Sequence, residues 1–451
     1  MVCVDSMNKM RKEGSKMEKA SIIKVPKEWN VKTVEQVFDF YPTATYSRDK
    51  QVPKDSSELS IKYIHYGDIH TQYNMLLDAT NTKIPYISRE LKKDFEFVKN
   101  GDLIIADTSE DYDGVGKCVE VVNVRDNEII SGLHTLMLRQ KGNDFIEGFK
   151  GYYFSSDIVK RELLRIVTGI KVYSITKATL AKVYLTIPSP QEQKVMMHFL
   201  SKVDEAITSV QNCIVAAERL KKSLMQNLLT GRMKPDGTFR TSEEFYIDEK
   251  YGKVPVGWEV KKLKDIANIQ RGKFAHRPRN DERFYNGKYP FVQTSDVVES
   301  VFYLRKASQT LNEMGVSVSK CFPPNTIIMT IAANIGYVVL TNYLVYFPDS
   351  LIGINVNENV ILPSFTLLQL MGYKNILDAQ ATESAQKNIN YSNLRPLPIA
   401  FPMDKKEQQY IVNKVTNVFN DIEYKKSKIV VLERLKKSLM QNLLTGKITI
   451  I

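Results

Sequence analysis

Glu218–Gly231 reads ERLKKSLMQNLLTG, and Glu433–Gly446 reads the same fourteen residues, 215 positions later. An identity of that length inside one 451-residue chain marks an internal duplication, so the chain is two copies of one plan. The openings of the copies agree as well. Val25, Pro26, Trp29, Val31 and Lys32 are echoed by Val254, Pro255, Trp258, Val260 and Lys261, and the two tryptophans are the only ones in the chain. Before the repeated phrase, Ile175, Leu180, Pro188, Ser189, Glu192 and Gln193 are answered by Ile389, Leu394, Pro402, Asp404, Glu407 and Gln408. Trp29 to Glu192 spans 163 positions and Trp258 to Glu407 spans 149, so the middles differ in length as well as in sequence. The pattern is a fixed frame around a variable insert.

The frame reads as helix. Ser189 suits an N-cap, Pro190 the first helical position, and Glu192 completes a capping box; Asp404 and Glu407 repeat the arrangement. Leu200, Val203, Ile207, Val210, Ile214 and Ala217 then recur at steps of three and four, the narrow stripe of a coiled-coil seam, which Leu220, Leu224 and Leu228 carry onward. In the second copy the stripe is Val418, Ile422, Ile429, Leu432, Leu435, Leu439 and Leu443. Lys425, where the first copy has Val210, is read either as setting the register or, more simply, as a side chain reaching out from the seam's edge. Gly231 and Gly446 suit left-handed C-terminal turns. The spacing predicts helices within 189–231 and 403–446, roughly 60 Å each at about 1.5 Å per residue. One greasy stripe per helix predicts antiparallel packing of the two copies, a spacer with the inserts at opposite ends, joined through a polar linker at 232–253.

Bulk properties fit this plan. With 43% hydrophobic and 25% charged residues the chain is ordinary globular protein. A net charge of +12 suits a polyanionic partner. Cys3, Cys118, Cys213 and Cys321 are scattered without metal-ligand spacing, which points to a reducing cytoplasm rather than a disulfide frame. No apolar run is long enough for a membrane span. Residues 1–23 are expected to be a disordered leader, and 447–451 a short tail.

The inserts, 24–188 and 254–402, predict an α+β fold. Short β-branched strands fall at Ile61–Ile64, Asp102–Ala106 and Leu133–Leu138, then at Pro290–Gln293, Thr326–Ile331 and Leu351–Val356. Helices are expected at Asp157–Val167 and Phe365–Met371. No regular alternation of strand and helix supports a dinucleotide-binding sheet. Chemistry is scarce: there is no phosphate-binding G-x-x-x-x-G-K motif, no H-E-x-x-H, and the five histidines lack metal-ligand spacing. Gly114 and Gly116 read as a turn. Asp236 and Asp248-Glu249-Lys250 match a nuclease pattern only loosely and fall in the linker, without strands expected to hold them.

Basic and polar loops occur instead at equivalent places. Sixteen residues beyond each tryptophan stand Thr45, within a stretch holding Tyr46, Ser47, Arg48 and Lys50, and Phe274, flanked by Arg271, Lys273, His276, Arg277 and Arg279. Arginine can fork onto guanine O6 and N7 while hydroxyls and lysines hold phosphates, so these loops are candidate DNA contacts, against the plainer reading of solvated surface. A second pair precedes the closing strand: Lys171 in the first copy, and Gln386, Lys387 and Asn388 in the second, where the amides either read adenine or only cap a turn. No catalytic, cofactor-binding or metal-binding residue is expected in the chain. Two other classes stay open, a self-contained DNA-modifying enzyme and a structural coiled-coil scaffold.

Two divergent inserts opened by Val-Pro-x-x-Trp, closed by the Pro188–Gln193 and Pro402–Gln408 segments, and followed by repeated helix ends resemble the specificity subunit of type I restriction-modification systems. That resemblance implies two target recognition domains, each reading one half of a bipartite double-stranded DNA site, with the helices measuring the gap. It implies two modification subunits that methylate adenine with S-adenosylmethionine, and restriction subunits that use ATP and Mg, none of these cofactors being bound by this chain. Leu220, Leu224, Leu228, Leu435, Leu439 and Leu443 are then candidate subunit-interface positions on the helices.

Overall fold

The structure is a computed structural model that describes residues 26, 28–52, 60–91, 93–381, 388–389 and 391–448. The chain divides into two compact units in an interleaved way: one takes the chain up to Ser209 together with Ile429 onward, the other takes Val210–Lys428. Each therefore contains one insert and part of both long helices. The helices are Pro190–Leu228 and Lys405–Leu443, each 39 residues and unbroken.

In the first unit, five strands form one sheet in the order Phe38–Tyr41, Thr135–Gln140, Leu103–Ala106, Cys118–Val122, Leu76–Asp78. Four more form a second sheet in the order Ile129–Ser131, Ser60–Ile64, Tyr86–Ser88, Gln51–Val52. The strand LIIA at 103–106 shows why the layers hold together. Side chains alternate across a strand, so Ile104 and Ala106 enter the core shared with Ile64, Ile69 and Ile129, while Leu103 and Ile105 face Phe149, Tyr153 and Leu163 on the helices behind. All four are buried, which is why the strand reads as an apolar run without alternation.

The second unit repeats the scheme with four-stranded sheets. One runs Ala267–Arg271, Leu351–Val356, Ile327–Thr330, Val338–Leu340; the other runs Gln309–Leu311, Tyr285–Phe291, Val345–Tyr346, Cys321–Phe322. Ile327 and Met329 pack toward Phe365, Leu368 and Trp258, and Ile328 packs the opposite way with Val339, Phe322 and Phe347.

The duplicated residues form the joints. Trp29 Nε1 donates to Glu192 Oε1 at 3.1 Å, and Trp258 Nε1 to Glu407 Oε1 at 3.3 Å. Gln193, fully buried, donates to the carbonyls of Pro188 and Asp144 at 2.9 and 2.7 Å and accepts from Ile146 N–H at 2.9 Å. Gln408 does the same with Pro402 O, Val360 O and Leu362 N–H. A leucine there would leave a buried donor and two carbonyls unpaired, at about 1–3 kcal/mol each, so the amide is required by the fold. Ser189 and Glu192 make the expected capping box, through Ser189 N–H to Glu192 at 2.9 Å and Glu192 N–H to Ser189 Oγ at 3.3 Å. Its second copy differs: Asp404 caps Lys406 N–H at 2.8 Å, and Glu407 is taken up by Arg240 at 2.9 Å besides Trp258.

The two helices run antiparallel within each unit. In the first, Met196 and Leu200 share a core with Met440 and Leu443, and Lys436 Nζ lies 2.6 Å from Asp204 Oδ1. In the second, Leu228 packs with Ile411, Val415 and Phe419, and Lys221 Nζ sits 5.0 Å above the Phe419 ring. Lys425 leans out of the stripe to pair with Asp421 one turn back. Both closing glycines adopt positive φ, +65° at Gly231 and +66° at Gly446. A Cβ on Gly231 would stand 2.2 Å from Pro255 and one on Gly446 would stand 2.2 Å from Pro26, so the turn sits directly on the proline-tryptophan opening.

Two expectations change. Leu220 and Leu435 are not in the seam: they are 50% and 46% exposed, whereas Leu224 and Leu439 are partly buried and Leu228 and Leu443 are buried. The residues 232–253 are not a bare linker. They hold a bridge between Met233 and Phe239 and most of a hairpin, Phe245–Asp248 paired with Gly252–Pro255. Arg240 anchors the segment by donating to Gly231 O at 2.6 Å. The polar composition hid this because the segment adds only Met233 and Tyr251 to the core around Trp258. Asp236 and Asp248 bond their own turns, and no acidic cluster that could hold a metal occurs among the described residues.

Candidate nucleic-acid interface

In the first domain the predicted loop closes the edge of the four-stranded sheet. Thr45, Ser47, Arg48 and Lys50 are exposed, while Tyr46 is half-buried against Phe95. Tyr63 fixes the loop from beneath: its hydroxyl donates to Tyr46 O at 2.6 Å and accepts from Leu133 N–H at 2.8 Å. Arg48 Nη2 reaches Asp68 Oδ1 at 2.8 Å. Asp68 lies in the short helix Tyr66–Thr71, whose N-cap is His65, with Nδ1 accepting from Gly67 N–H at 3.1 Å. Burial holds the His65 pKa below its usual value, and Arg48 and His134 add to this, against Asp68.

From that helix a chain of contacts leads on to a hairpin. His70 Nε2 lies 3.0 Å from Thr108 O, and Thr108-Ser109 pairs with Tyr173-Ser174. The latter strand ends a tight hairpin held by reciprocal bonds between Thr168 and Ser174. At its tip stand Ile170, 91% exposed, and Lys171, also exposed. Hydrogen bonds thus connect loop, helix and hairpin in series, from Arg48 through Asp68 and His70 to the strand that follows the Lys171 tip. Tyr66 lies among His65, His70 and His134, with ring centroids at 4.6, 6.0 and 5.2 Å.

In the second domain Arg271, Lys273, Arg277 and Arg279 are all exposed. Three of these converge on one residue. Arg279 pairs with Asp349 Oδ1, Arg277 Nη2 lies 3.7 Å from Asp349 Oδ2, and Arg271 Nε donates to Asp349 O at 2.6 Å. Arg277 Nη1 also donates to the carbonyls of Phe274 and His276 at 2.6 and 2.8 Å, so its guanidinium largely serves its own loop. His276 is stacked on Phe284 with ring centroids 4.0 Å apart and bonds Asp281 at 2.9 Å, a structural role. Phe274 is core. Asn388 forms a bridge with Ala332 and is partly buried, its Oδ1 without a partner. Gln386 and Lys387 lie outside the described residues.

One paired element escaped the sequence reading. After the strand ending at Ile64 comes His65-Tyr66-Gly67-Asp68-Ile69, and after that ending at Phe291 comes Val292-Gln293-Thr294-Ser295-Asp296-Val297. Each leads into a six-residue helix whose third residue is a buried aspartate. Asp68 holds Arg48; Asp296 holds Gln293 N–H at 2.8 Å and Ser308 N–H at 3.0 Å. An aromatic, an aliphatic and an aspartate at a shared spacing were the available signal, but it lies inside the inserts, where the copies differ most.

The long helices also expose apolar side chains at equivalent positions. Val215 and Leu220 are exposed on one, Val430, Val431 and Leu435 on the other, at positions 215 residues apart apart from Val431, whose counterpart is Ala216.

Comparison with known proteins bears on the duplicated frame and its two domains. A family described as "Type I restriction modification DNA specificity domain" matches residues 26–218 and again 255–434. The chain is 25% identical over 313 residues to the type I restriction enzyme MjaIX specificity subunit of Methanocaldococcus jannaschii, covering 67% of this chain and 65% of that protein. It is 22% identical over 449 residues to the putative MjaX specificity subunit of the same organism, covering 96% of each. Among solved structures, the type I S subunit of M. genitalium covers 94% of this chain and 98% of its own, at a TM-score of 0.56 and 13% identity. A chain of a type I R-M system aligns at the same TM-score with 17% identity, covering 94% of this chain and 100% of its own. These two likenesses concern the fold. With both halves matched by the family and both halves built on one frame, the chain belongs to the type I restriction-modification DNA specificity family.

Proposed function

We propose that the chain is the DNA-reading, non-catalytic subunit of a type I restriction-modification assembly acting in the cytoplasm. Each domain reads one half of a bipartite double-stranded site, and the two long helices set the gap. The observation that carries this reading is the pair of basic loops, Arg48 with Lys50 and Arg277 with Arg279, at matching distances of 19 and 21 residues beyond the two tryptophans of one duplicated frame. Two readers joined in one chain combine their affinities through a high effective concentration, so each needs only a modest interface.

The matched exposed faces at Leu220 and Leu435 fit two copies of one partner, one on each equivalent surface. In this reading they are modification subunits carrying S-adenosylmethionine, and further restriction subunits use ATP and Mg. The chain itself binds none of these. Incubating the purified chain with DNA and labelled S-adenosylmethionine should give no methyl transfer until a modification subunit is added. Adenine methylation by the chain alone would overturn the proposal in favour of a self-contained enzyme.

A further inference from the structure

The second domain has a cleft of about 530 Å³ beside the arginine loop. Its floor is Phe274 and Phe291, and its walls include Arg279, Asn286, Gln293 and Gln309. The two glutamines are joined: Gln293 Nε2 donates to Gln309 Oε1 at 2.8 Å. Both are set by one buried carboxylate. Asp296 Oδ2 accepts from Gln293 N–H at 2.8 Å and from Ser308 N–H and Oγ at 3.0 Å, fixing the backbone of Gln293 and that of the residue beside Gln309.

Two linked primary amides have a definite remainder. Their mutual bond uses one N–H of one amide and one lone pair of the other, so at least one carbonyl and one amino group stay wholly open, whichever way the pair is turned. A neighbouring donor and acceptor match the major-groove edge of adenine, which offers the N6 amino group and N7. Guanine presents two acceptors there and would leave the free carbonyl facing an acceptor; cytosine presents only its N4 amino group. Arg279 at the rim supplies positive charge toward the backbone of a strand lying over the cleft.

On the reading of the chain as a DNA-specificity subunit, we propose that Gln293 and Gln309 act as one amide couple recognising an adenine in the half-site of the second domain, with Asp296 as the residue that positions them. At the equivalent place the first domain has His65, a side chain of different hydrogen-bonding pattern, on the same scaffold. The frame is shared, and the reading group is exchanged.

The test uses the full chain assembled with its modification subunits, with the methylated motif determined by sequencing. Gln309→Glu exchanges the donor for an acceptor, and should lower the preference for adenine at one position of one half-site roughly 10- to 100-fold, with the other half-site and the gap unchanged. In parallel, the unaltered chain is titrated with duplexes carrying 7-deazaadenine at each adenine in turn. One position in that half-site should lose affinity, and Gln309→Glu should lose no more at that position. A motif unchanged by Gln309→Glu, or a weakening spread evenly over all positions, overturns the couple. If the variant does not fold, the duplex series on the unaltered chain decides, since insensitivity at every adenine of that half-site also overturns it. A wild-type motif that is not split would count against the specificity-subunit reading itself, a separate failure.

Discussion

Arg48 donates to the carboxylate of Asp68 at 2.8 Å, an exposed guanidinium held by an acid that is almost wholly buried. The pair orients a long side chain before any ligand arrives, which lowers the ordering cost of binding. It also means that deleting Arg48 would strip a buried carboxylate of its counter-ion. A milder change is therefore the cleaner probe. Arg48→Lys keeps the charge but removes the planar fork, and should reduce discrimination of the first half-site by about 1–3 kcal/mol while leaving non-specific binding nearly unchanged. Fluorescence anisotropy with cognate and scrambled duplexes measures both. Equal weakening on every sequence would show that Arg48 touches only phosphate.

Asp349 plays the corresponding part for two arginines at once. Asp349→Asn releases Arg277 and Arg279 and raises the net charge by one. Non-specific affinity should rise and discrimination at the second half-site should fall, with the slope of log K against log salt steepening by about one. An unaltered slope together with unaltered discrimination would remove Asp349 from the interface.

The helices offer a test of spacing. The repeated phrase at 218–231 is packed into the second unit through Leu228 and Leu229, so an insertion there would disturb a core. Seven residues placed between Ser209 and Val210, matched by seven between Lys428 and Ile429, keep the stripe in phase at two turns and add roughly 10 Å. The tolerated gap between half-sites should grow by about three base pairs. A motif with the original gap would reject the helices as its measure.

Leu220 and Leu435 should each govern one partner. Leu220→Glu or Leu435→Glu alone is expected to yield assemblies with one modification subunit, and the double variant none, by native mass spectrometry. Full assembly by the double variant would place the docking surface elsewhere.

His65 makes stability sensitive to mild acid. Its Nδ1 must stay unprotonated to accept from Gly67 N–H, and burial favours that state in the folded chain. The unfolded chain takes up the proton near pH 6.5, ahead of the folded one, so stability is intact above that value and declines as pH falls through it. His65→Asn, which can also cap, should show a smaller drop in melting temperature between pH 7 and pH 5. An identical drop in both proteins would clear His65.

The frame was legible because its residues are used twice for the same contacts. Trp29 and Trp258, Gln193 and Gln408, Gly231 and Gly446 each satisfy one fixed geometry, and fixed geometry keeps spelling constant. The stripe was harder to read at its ends. Leu220 and Leu228 share one spacing rule, yet the first is exposed and the second is buried beneath a domain, a distinction periodicity does not contain. The arginines of both loops were visible as composition, but their holders, Asp68 and Asp349, lie 20 and 70 or more positions away and are found only once the chain is folded. The joined glutamines belong to the same class: neither residue means much without the other.

The seating of Gly446 against Pro26 and Trp29, and of Gly231 against Pro255 and Trp258, has a consequence for how such a gene can be edited. Each copy of the text ends by finishing the other copy's building. A product halted at Gly231 would carry every letter of the first insert yet leave its tryptophan roofless, whereas a substitute insert spliced between the two joints would inherit a finished mount. The segment that can be traded is therefore shorter than the stretch that folds, and half a helix out of step with it.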